Sequence, residues 1–515
     1  MKNFKSIKSI ISIMLIIAMM SGILISCGEK NKENPDSNIQ NTTSGGSPDG
    51  GEQLGEDGED KAEPRIDPEL PEMDFGGYAF TFLTHLYDGD DWVGPNPLEI
   101  VAEMQDGKEV QNSEPINDAV YARNLKIKEK YNIDIKMVPN ADERGTMKKA
   151  VDSGDALYDA VIMFNNNVPS IVTGNLLTNI DNLPYVNLDK PWWDPAVNSM
   201  SIDHKNYLLA GDLLILDNEA TNALLFNKKL MATLGMDLPY NLVKEGKWTM
   251  DKFNEYIKGA ASDVNGDGKM VAKEDRWGFV AFNDTMHALL VAGGGAFAVK
   301  DENDLPYMDF TSPRNLAVIE KVMDIMYNKE DVLNVQSDTP SAEWSAIYWD
   351  SFQEDRALFQ WVRMRVIEKY RGMESEFGIL PLPKYDENQE DYYSSVNPYT
   401  GVLMGVPRSA DNLERVSIIL EALSAESKYT LQPAYYDVVL QRKYVRDDES
   451  SEMLDIIFNS RIYDIGSVYS FGSVFTEFIS LCNRSDRNVV SYYDKKINSM
   501  QKAIDKVVAT FQNMD

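Results

Sequence analysis

The chain has 515 residues, with 82 acidic against 50 basic side chains and a formal charge of −32. That balance excludes nucleic acid as a partner, because phosphate backbones are gripped by basic surfaces. Two cysteines exclude a disulfide framework, while 43% hydrophobic residues supply a core and the length requires at least two domains or lobes.

The chain opens on a basic n-region, Lys2, Lys5 and Lys8, followed by an apolar stretch to Ile25. Such a segment is an export signal, not part of the fold. An uncleaved membrane anchor is the alternative, but Leu24-Ile25-Ser26-Cys27 resembles the bacterial lipobox. Residues 1–26 are then a lipoprotein signal peptide, and Cys27 is the lipidated N-terminus that anchors the protein to the extracellular face of the cell membrane. Each buried CH₂ of the acyl chains adds about 0.8 kcal/mol, so two or more chains hold firmly. No other run is long and apolar enough to span a bilayer. Cys482, beside Leu481, reads as a buried core residue. Residues 27–73 are rich in Asn, Ser, Gly, Pro, Asp and Glu, and are expected to be a disordered acidic tether, with folded sequence beginning near Asp74.

Strand and helix signals then alternate. Residues 78–86 have strand character. Residues 116–131 place Ile116, Val120, Ile127 and Tyr131 on one helical face, with Asn117 as N-cap. Residues 131–138 alternate as a strand, a polar helix is expected around 142–153, and 158–163 read as a short buried strand. This order predicts an α/β lobe with parallel strand pairs. Further on come a helix over 315–329 and strands over 276–282 and 377–383. At the C-terminus Tyr493, Ile497, Met500, Ile504, Val507 and Phe511 form one stripe, expected to dock on the core.

Several chemistries are missing. His85, His204 and His287 have no metal-ligand spacing, and there is no G-x-S-x-G elbow, P-loop or CxxC pair. Gly293-Gly294-Gly295 is explained by a tight turn. A glycosidase carboxylate pair is not excluded, because its diagnostic is separation in space. The positive signal is aromatic. Trp192 and Trp193 sit in a proline-bounded loop, Trp349 and Trp361 in the third quarter of the chain, Tyr399 in VNPYTG, and Tyr435 and Tyr436 after Pro433. Apolar C–H faces of sugar rings stack on such planes while placed polar groups bond the hydroxyls. For any single one of these side chains, core packing is the commoner outcome. Phe164, Asn165 and Asn166 end a strand, where ligands bind in α/β sheets; a helix-capping role for the amides is the alternative.

Together these pieces resemble the family 1 extracellular solute-binding proteins of ABC importers, the carbohydrate-binding group that includes maltose-binding protein. The resemblance runs from about Asp74 to the C-terminus and rests on phrases such as INDAVYARNLKIKEKYNIDI, YDAVIM, GNLLTNIDNL, YLLAGDLLILDNEATNALLFNKKL, GKWTMDKF, RWGF and FGILPLPKYD. It implies a two-lobed, periplasmic-binding-protein-like α/β fold with a hinge between the lobes. By position, 74–216 is the first part of lobe 1 and 217–383 the first part of lobe 2. Residues 384–430 are the hinge and the return to lobe 1, and 431–515 a C-terminal helical segment mainly in lobe 2. The segment 207–221 looks like the first crossing and residues 382–401 like the second. Trp361 falls where the family places an aromatic sugar platform, Phe164 to Asn166 on the facing loop, and Tyr435 and Tyr436 at another aromatic position; Trp248 and Trp277 match structural phrases.

Residues 263–275, DVNGDGKMVAKED, match the calcium-loop pattern. Asp263, Asn265, Asp267, the Lys269 carbonyl and Glu274 would be the ligands, with Gly268 making the turn. Val271 offers no side-chain oxygen, and Asp275 is a substitute for Glu274; a metal-free Asx turn is the alternative. Because a strand follows, the ion is a structural Ca²⁺ clip and not a paired sensor. The expected function is capture of a carbohydrate, an oligosaccharide above all, by a lipid-anchored monomer that delivers it to the permease subunits of an ABC importer, without catalysis. A surface glycoside-active enzyme and a peptide-binding or sensor subunit on the same fold are the alternatives.

Overall fold

Residues 78–85 form β1 (Tyr78–His85), whose alternate side chains Phe80 and Phe82 are fully buried. β1 pairs in parallel with β2 (Ile133–Asn140) on one side and β3 (Ala160–Phe164) on the other. Parallel neighbours need a crossover. The helices Pro115–Tyr131 and Glu143–Ser153 supply the two crossovers. The structure is a computed structural model that describes residues 64–86, 99–441, 448–484 and 487–514. The leader, Cys27 and the tether as far as Glu63 lie outside the described residues.

The first helix begins earlier than its pattern suggests. Pro115 takes the first helical position, where a missing N–H has no cost, and Glu114 is the cap, accepting from the Asn117 N–H. Asn117, expected as the cap, is instead buried in the first turn. Its Oδ1 accepts from Glu103 N at 2.7 Å and its Nδ2 donates to Val110 O at 2.9 Å, fixing the loop ahead of the helix. Asn132 ends the helix in the left-handed region, φ 49°.

The second sheet contains β4 (Asn222–Asn227), β5 (Trp277–Ala281), β6 (Val332–Asn334), β7 (Ala357–Arg363) and β8 (Phe377–Leu380), in the order β6-β5-β7-β4-β8. β5 is parallel to β6 and β7, and β4 runs antiparallel to β7 and β8. Its core is aromatic: Phe359 packs on Phe253 at 5.2 Å and on Trp248 at 5.9 Å. Trp248 and Trp277 are both buried, as their structural assignment predicts. The Gly293-Gly294-Gly295 run caps the helix Thr285–Ala292, with Gly294 at φ +76° and N–H groups on the last helical carbonyls.

The chain returns to the first sheet with β9 (Val402–Gly405), antiparallel to β3, giving the order β9-β3-β1-β2. Each sheet with its helices is called one lobe, and the chain passes from the first sheet to the second after Phe164 and back to the first at Val402. The outgoing and returning segments are bridged to one another at Leu209–Met404 and Thr221–Val396, and Asn397 N donates to Ala220 O at 2.9 Å. Ile462, in the short strand Arg461–Ile462, pairs with Ser395 beside them. Glu99, 3% exposed, accepts from Ile215 N at 2.5 Å and Leu216 N at 3.2 Å and so holds the outgoing segment.

Two boundaries move. The described fold starts at Pro64, not Asp74. Arg65 pairs with Glu426 at 2.9 Å, Ile66 N donates to Tyr429 Oη at 2.8 Å, and Leu70 and Met73 pack against the first lobe's core. A few apolar residues and charge pairs dock the segment despite its polar composition. The C-terminal part is also divided between the lobes. Phe475, Phe478, Cys482 and Tyr493 join the second lobe's core, whereas Ile504, Val507 and Phe511 pack with Leu83 and Met163 of the first. Tyr493 belongs to the separate helix Val489–Asp494, stacked on Phe310, so the stripe is split between two helices. Cys482 is buried, and burial pushes its thiol far up. Among the described residues no helix is long and apolar enough to cross a membrane.

Candidate functional site

The carboxyl ends of β3, β5 and β7 all lie near the two crossings, and the residues that follow them meet there. β3 ends in Phe164, which packs edge-on to His85 at 4.3 Å, and His85 Nδ1 is 2.7 Å from Glu143 Oε2. Asn165 follows, with its backbone N–H on Gly401 O at 3.0 Å. Its side chain is 1% exposed, yet among the described residues neither its Oδ1 nor its Nδ2 has a hydrogen-bond partner. A buried amide without partners costs on the order of 1–3 kcal/mol. Asn166 is exposed.

The turn 397–401 lies against this amide. A Cβ on Gly401 would sit 2.7 Å from Asn165 Nδ2 and 2.6 Å from a Val396 methyl, so glycine permits the approach. The turn carries Tyr399, 45% exposed, whose ring meets Phe475 at 5.1 Å and whose N–H rests on Asn397 Oδ1. Asn397 Nδ2 reaches into the second lobe and donates to Asp284 Oδ2 at 3.1 Å. Burial raises the Asp284 carboxyl, while the bond from Asn397 and the charge of Arg363, at the end of β7, pull it back down. Arg365 pairs with Glu219 of the outgoing crossing at 2.8 Å. The result is a patch of amides, carboxylates and guanidinium groups with an exposed phenol ring, which is the chemistry that reads hydroxyls.

Of the residues singled out from the sequence, Phe164, Asn165 and Tyr399 come together here. Asp284, Arg363, Asn397 and Glu219 were missed; the first three end strands or follow them, and Glu219 closes the short helix Leu216–Glu219. Trp361 is 3% exposed and lies in the second lobe's core, edge-on to Phe282 at 5.8 Å. Strand alternation puts it on the face of Phe359, which packs inward, so it presents no platform in this structure. Trp349 is also buried, against Tyr348 at 4.8 Å and under Lys369. Trp192 and Trp193 are buried, and their indole N–H groups both donate to Glu421, at 3.0 and 2.7 Å. Tyr435 is buried in the core. Trp193 and Tyr436 share the wall of a different pocket, of about 470 Å³, beside the crossings.

A Ser-His-Asp constellation does occur among buried residues, but its wiring is wrong for hydrolysis. Ser467 Oγ donates to Asp464 Oδ2 at 2.5 Å and lies 2.7 Å from His287 Nε2. With its proton already committed, Ser467 accepts from the imidazole and is not deprotonated by it. Asp464 caps the helix Ile465–Val468 and meets the same imidazole nitrogen at 3.4 Å.

The 263–275 loop folds as a series of Asx turns. Asp263 accepts from Gly266 N and Gly268 N, both at 2.7 Å, Asp267 from Lys269 N, and Glu274 from Asn265 Nδ2 at 2.8 Å. These backbone bonds hold the Asp263 carboxyl below its usual range. Asp275 is fully buried and accepts from Val264 N and Val271 N, so it staples the loop and is not available as a substitute ligand. Among the described residues no group of three or more His, Cys, Asp or Glu side chains is gathered as a metal centre.

No protein-family model matches the chain. No curated protein matches it. Solved structures do. A cyclo/maltodextrin-binding protein complexed with maltotetraose aligns over 84% of this chain and 96% of its own, at 15% identity and a TM-score of 0.51. The sugar-binding protein MalE from Xanthomonas citri aligns over 84% and 98%, at 12% identity and 0.52. M. tuberculosis UspC aligns over 82% and 100%, at 13% identity and 0.53. The chain therefore shares the α/β fold of these proteins over nearly their whole length.

Proposed function

We propose that this chain is a carbohydrate-capturing solute-binding protein of an ABC importer, related to the family 1 group that includes maltose-binding protein. The observation that carries the reading is Asn165. Its amide is buried and unpartnered at the carboxyl end of β3, against the turn that joins the lobes and carries the exposed Tyr399 ring. A hydroxyl-rich ligand would satisfy both amide atoms and stack a ring on the phenol. Asn397, Asp284, Arg363 and the Arg365–Glu219 pair supply further hydroxyl partners from the second lobe and the crossing. Two of the structures sharing the fold belong to proteins described as binding maltodextrin or sugar, which supports the class of ligand.

Capture requires no chemical step. A ligand that touches both lobes favours the arrangement in which they approach, to the extent that it binds that state better. The same proposal includes export, anchoring through a lipid on Cys27, delivery to membrane permease subunits as a monomer, and a calcium ion held by Asp263, Asn265, Asp267, the Lys269 carbonyl and Glu274 as a loop clip.

Thermal unfolding of the full chain across a panel of oligosaccharides tests it. Ligand at about 100 times its Kd adds roughly 2.7 kcal/mol, which moves the midpoint upward. Recovery of that glycan intact supports capture. A flat response across all glycans overturns the carbohydrate reading in favour of peptide, and cleaved glycan means an enzyme.

A further inference from the structure

The pocket shared by Trp193 and Tyr436 is separate from the Asn165 patch. It lies between the 191–196 loop, the outgoing crossing at Gly211 to Asn218, and the helix and strand around Asp455 to Tyr463. At about 470 Å³ it is large enough for one or two sugar-sized rings. Its walls include the aromatic rings of Trp193, Tyr436, Phe458 and Tyr463.

Its charges do not balance. Asp194, Asp212 and Asp455 line it, with Asp217 buried behind them, against two cations, Lys428 and Arg461. Arg461 is already taken: its Nε is 3.0 Å from Asp194 and its Nη1 3.5 Å from Asp217, and it also bonds Asn218. Asp455 is taken by the Tyr436 hydroxyl at 2.6 Å. Asp212 is left over. Among the described residues no hydrogen bond or ion pair holds its carboxylate, and Lys428 and Arg461 act on it only through space. Tyr463 is the second unfinished group. It is 2% exposed, its hydroxyl has no hydrogen-bond partner among the described residues, and it lies within the field of Asp194 and Asp217.

We propose that this pocket binds a small organic cation of amino-sugar size, whose ammonium group pairs with Asp212 and meets the Tyr463 hydroxyl while its ring lies among the aromatic walls. Desolvated ammonium groups are drawn both to carboxylates and to aromatic faces. The ligand would touch the outgoing crossing through Asp212 and Asn218, and the first lobe through Trp193.

The test uses the full chain and one ring in two charge states, glucosamine and N-acetylglucosamine, by titration calorimetry at neutral pH. The expected result is saturable binding of glucosamine, with the acetylated ring at least about tenfold weaker. Asp212→Asn is expected to abolish that preference, and Tyr463→Phe to weaken glucosamine alone. Should Asp212→Asn fail to fold by circular dichroism, Tyr463→Phe alone carries the test, with the loss of glucosamine affinity expected. Asn165→Ala should leave glucosamine binding intact, which separates this site from the carbohydrate site. Equal binding of the two rings, unchanged binding in Asp212→Asn, or no saturable glucosamine binding each overturns the proposal.

Discussion

The indole N–H of Trp193 donates to Glu421 Oε2 at 2.7 Å, and Trp192 donates to the other oxygen of the same carboxylate. One buried acid on the helix Leu413–Lys428 thus fixes two adjacent tryptophans whose spacing alone suggested ligand contact. Asn187 N adds a third donor.

Glu421→Ala should therefore be severely destabilising. It leaves two buried indole N–H groups unsatisfied and opens a void, a loss of about 2–5 kcal/mol. Glu421→Gln keeps one acceptor and should lose less. Urea unfolding of the two variants checks the order; equal losses would show that packing, not hydrogen bonding, is what Glu421 contributes.

Stability should fall as pH rises from about 5 to 8. Burial pushes the carboxyls of Glu421 up to about 7, Glu99 up to about 8 and Asp212 up to about 7. A carboxyl raised in the folded state keeps its proton there longer than in the unfolded chain. The benefit is complete below the unfolded value, 4.5 for glutamate, and disappears as pH climbs through the folded one. For Glu421 the full effect is on the order of 3 kcal/mol. Urea midpoints across this range should decline, and Glu99→Gln or Glu421→Gln should flatten the slope. A midpoint that increases from pH 5 to 8 contradicts the assignment.

Asn165→Ala should separate binding from stability. Removing an unpartnered buried amide relieves about 1–2 kcal/mol, offset in part by the lost volume, so the unliganded midpoint should hold or rise. The upward shift produced by the oligosaccharide should vanish. A variant that keeps the full ligand shift would remove Asn165 from the site.

The alternating strands and helices at the start of the first lobe were legible because the strands carry the period-two and buried-run patterns that parallel sheets demand, and the helices lie between them; the antiparallel β9 was not. The crossings were legible only through resemblance. The tryptophans were misleading for a physical reason: Trp361 obeys strand alternation and turns inward with Phe359, and Trp192 and Trp193 are drawn in by Glu421, 228 positions beyond Trp193. Nothing local to the sequence announces a partner that distant. Asn165 was legible, since a run of amides after a buried strand is unusual, whereas Asp284 and Asn397 meet at 3.1 Å from opposite sides of 113 residues and leave no local mark.

Calcium should raise the unfolding midpoint and a chelator should reverse it. Asp263→Ala removes the acceptor for Gly266 N and Gly268 N as well as a ligand, so it should lower the midpoint and also abolish the calcium response. Glu274→Gln, which keeps an acceptor for Asn265, should abolish the response while leaving the calcium-free midpoint nearly unchanged. A midpoint indifferent to calcium in the parent chain makes the loop a metal-free Asx turn.

The first lobe's sheet is completed by β9, which starts at Val402, whereas the five strands of the second sheet lie between Asn222 and Leu380. The second lobe can thus close its sheet as soon as its own stretch of chain emerges. The first must keep the edge of β3 open until more than two hundred further residues have been made. Order of assembly is then written into the topology: the second sheet can close before the first, although helices after β9 complete the cores of both lobes. An exposed strand edge awaiting its partner is prone to mispairing. The interval before β9 docks is when this protein is most in need of protection.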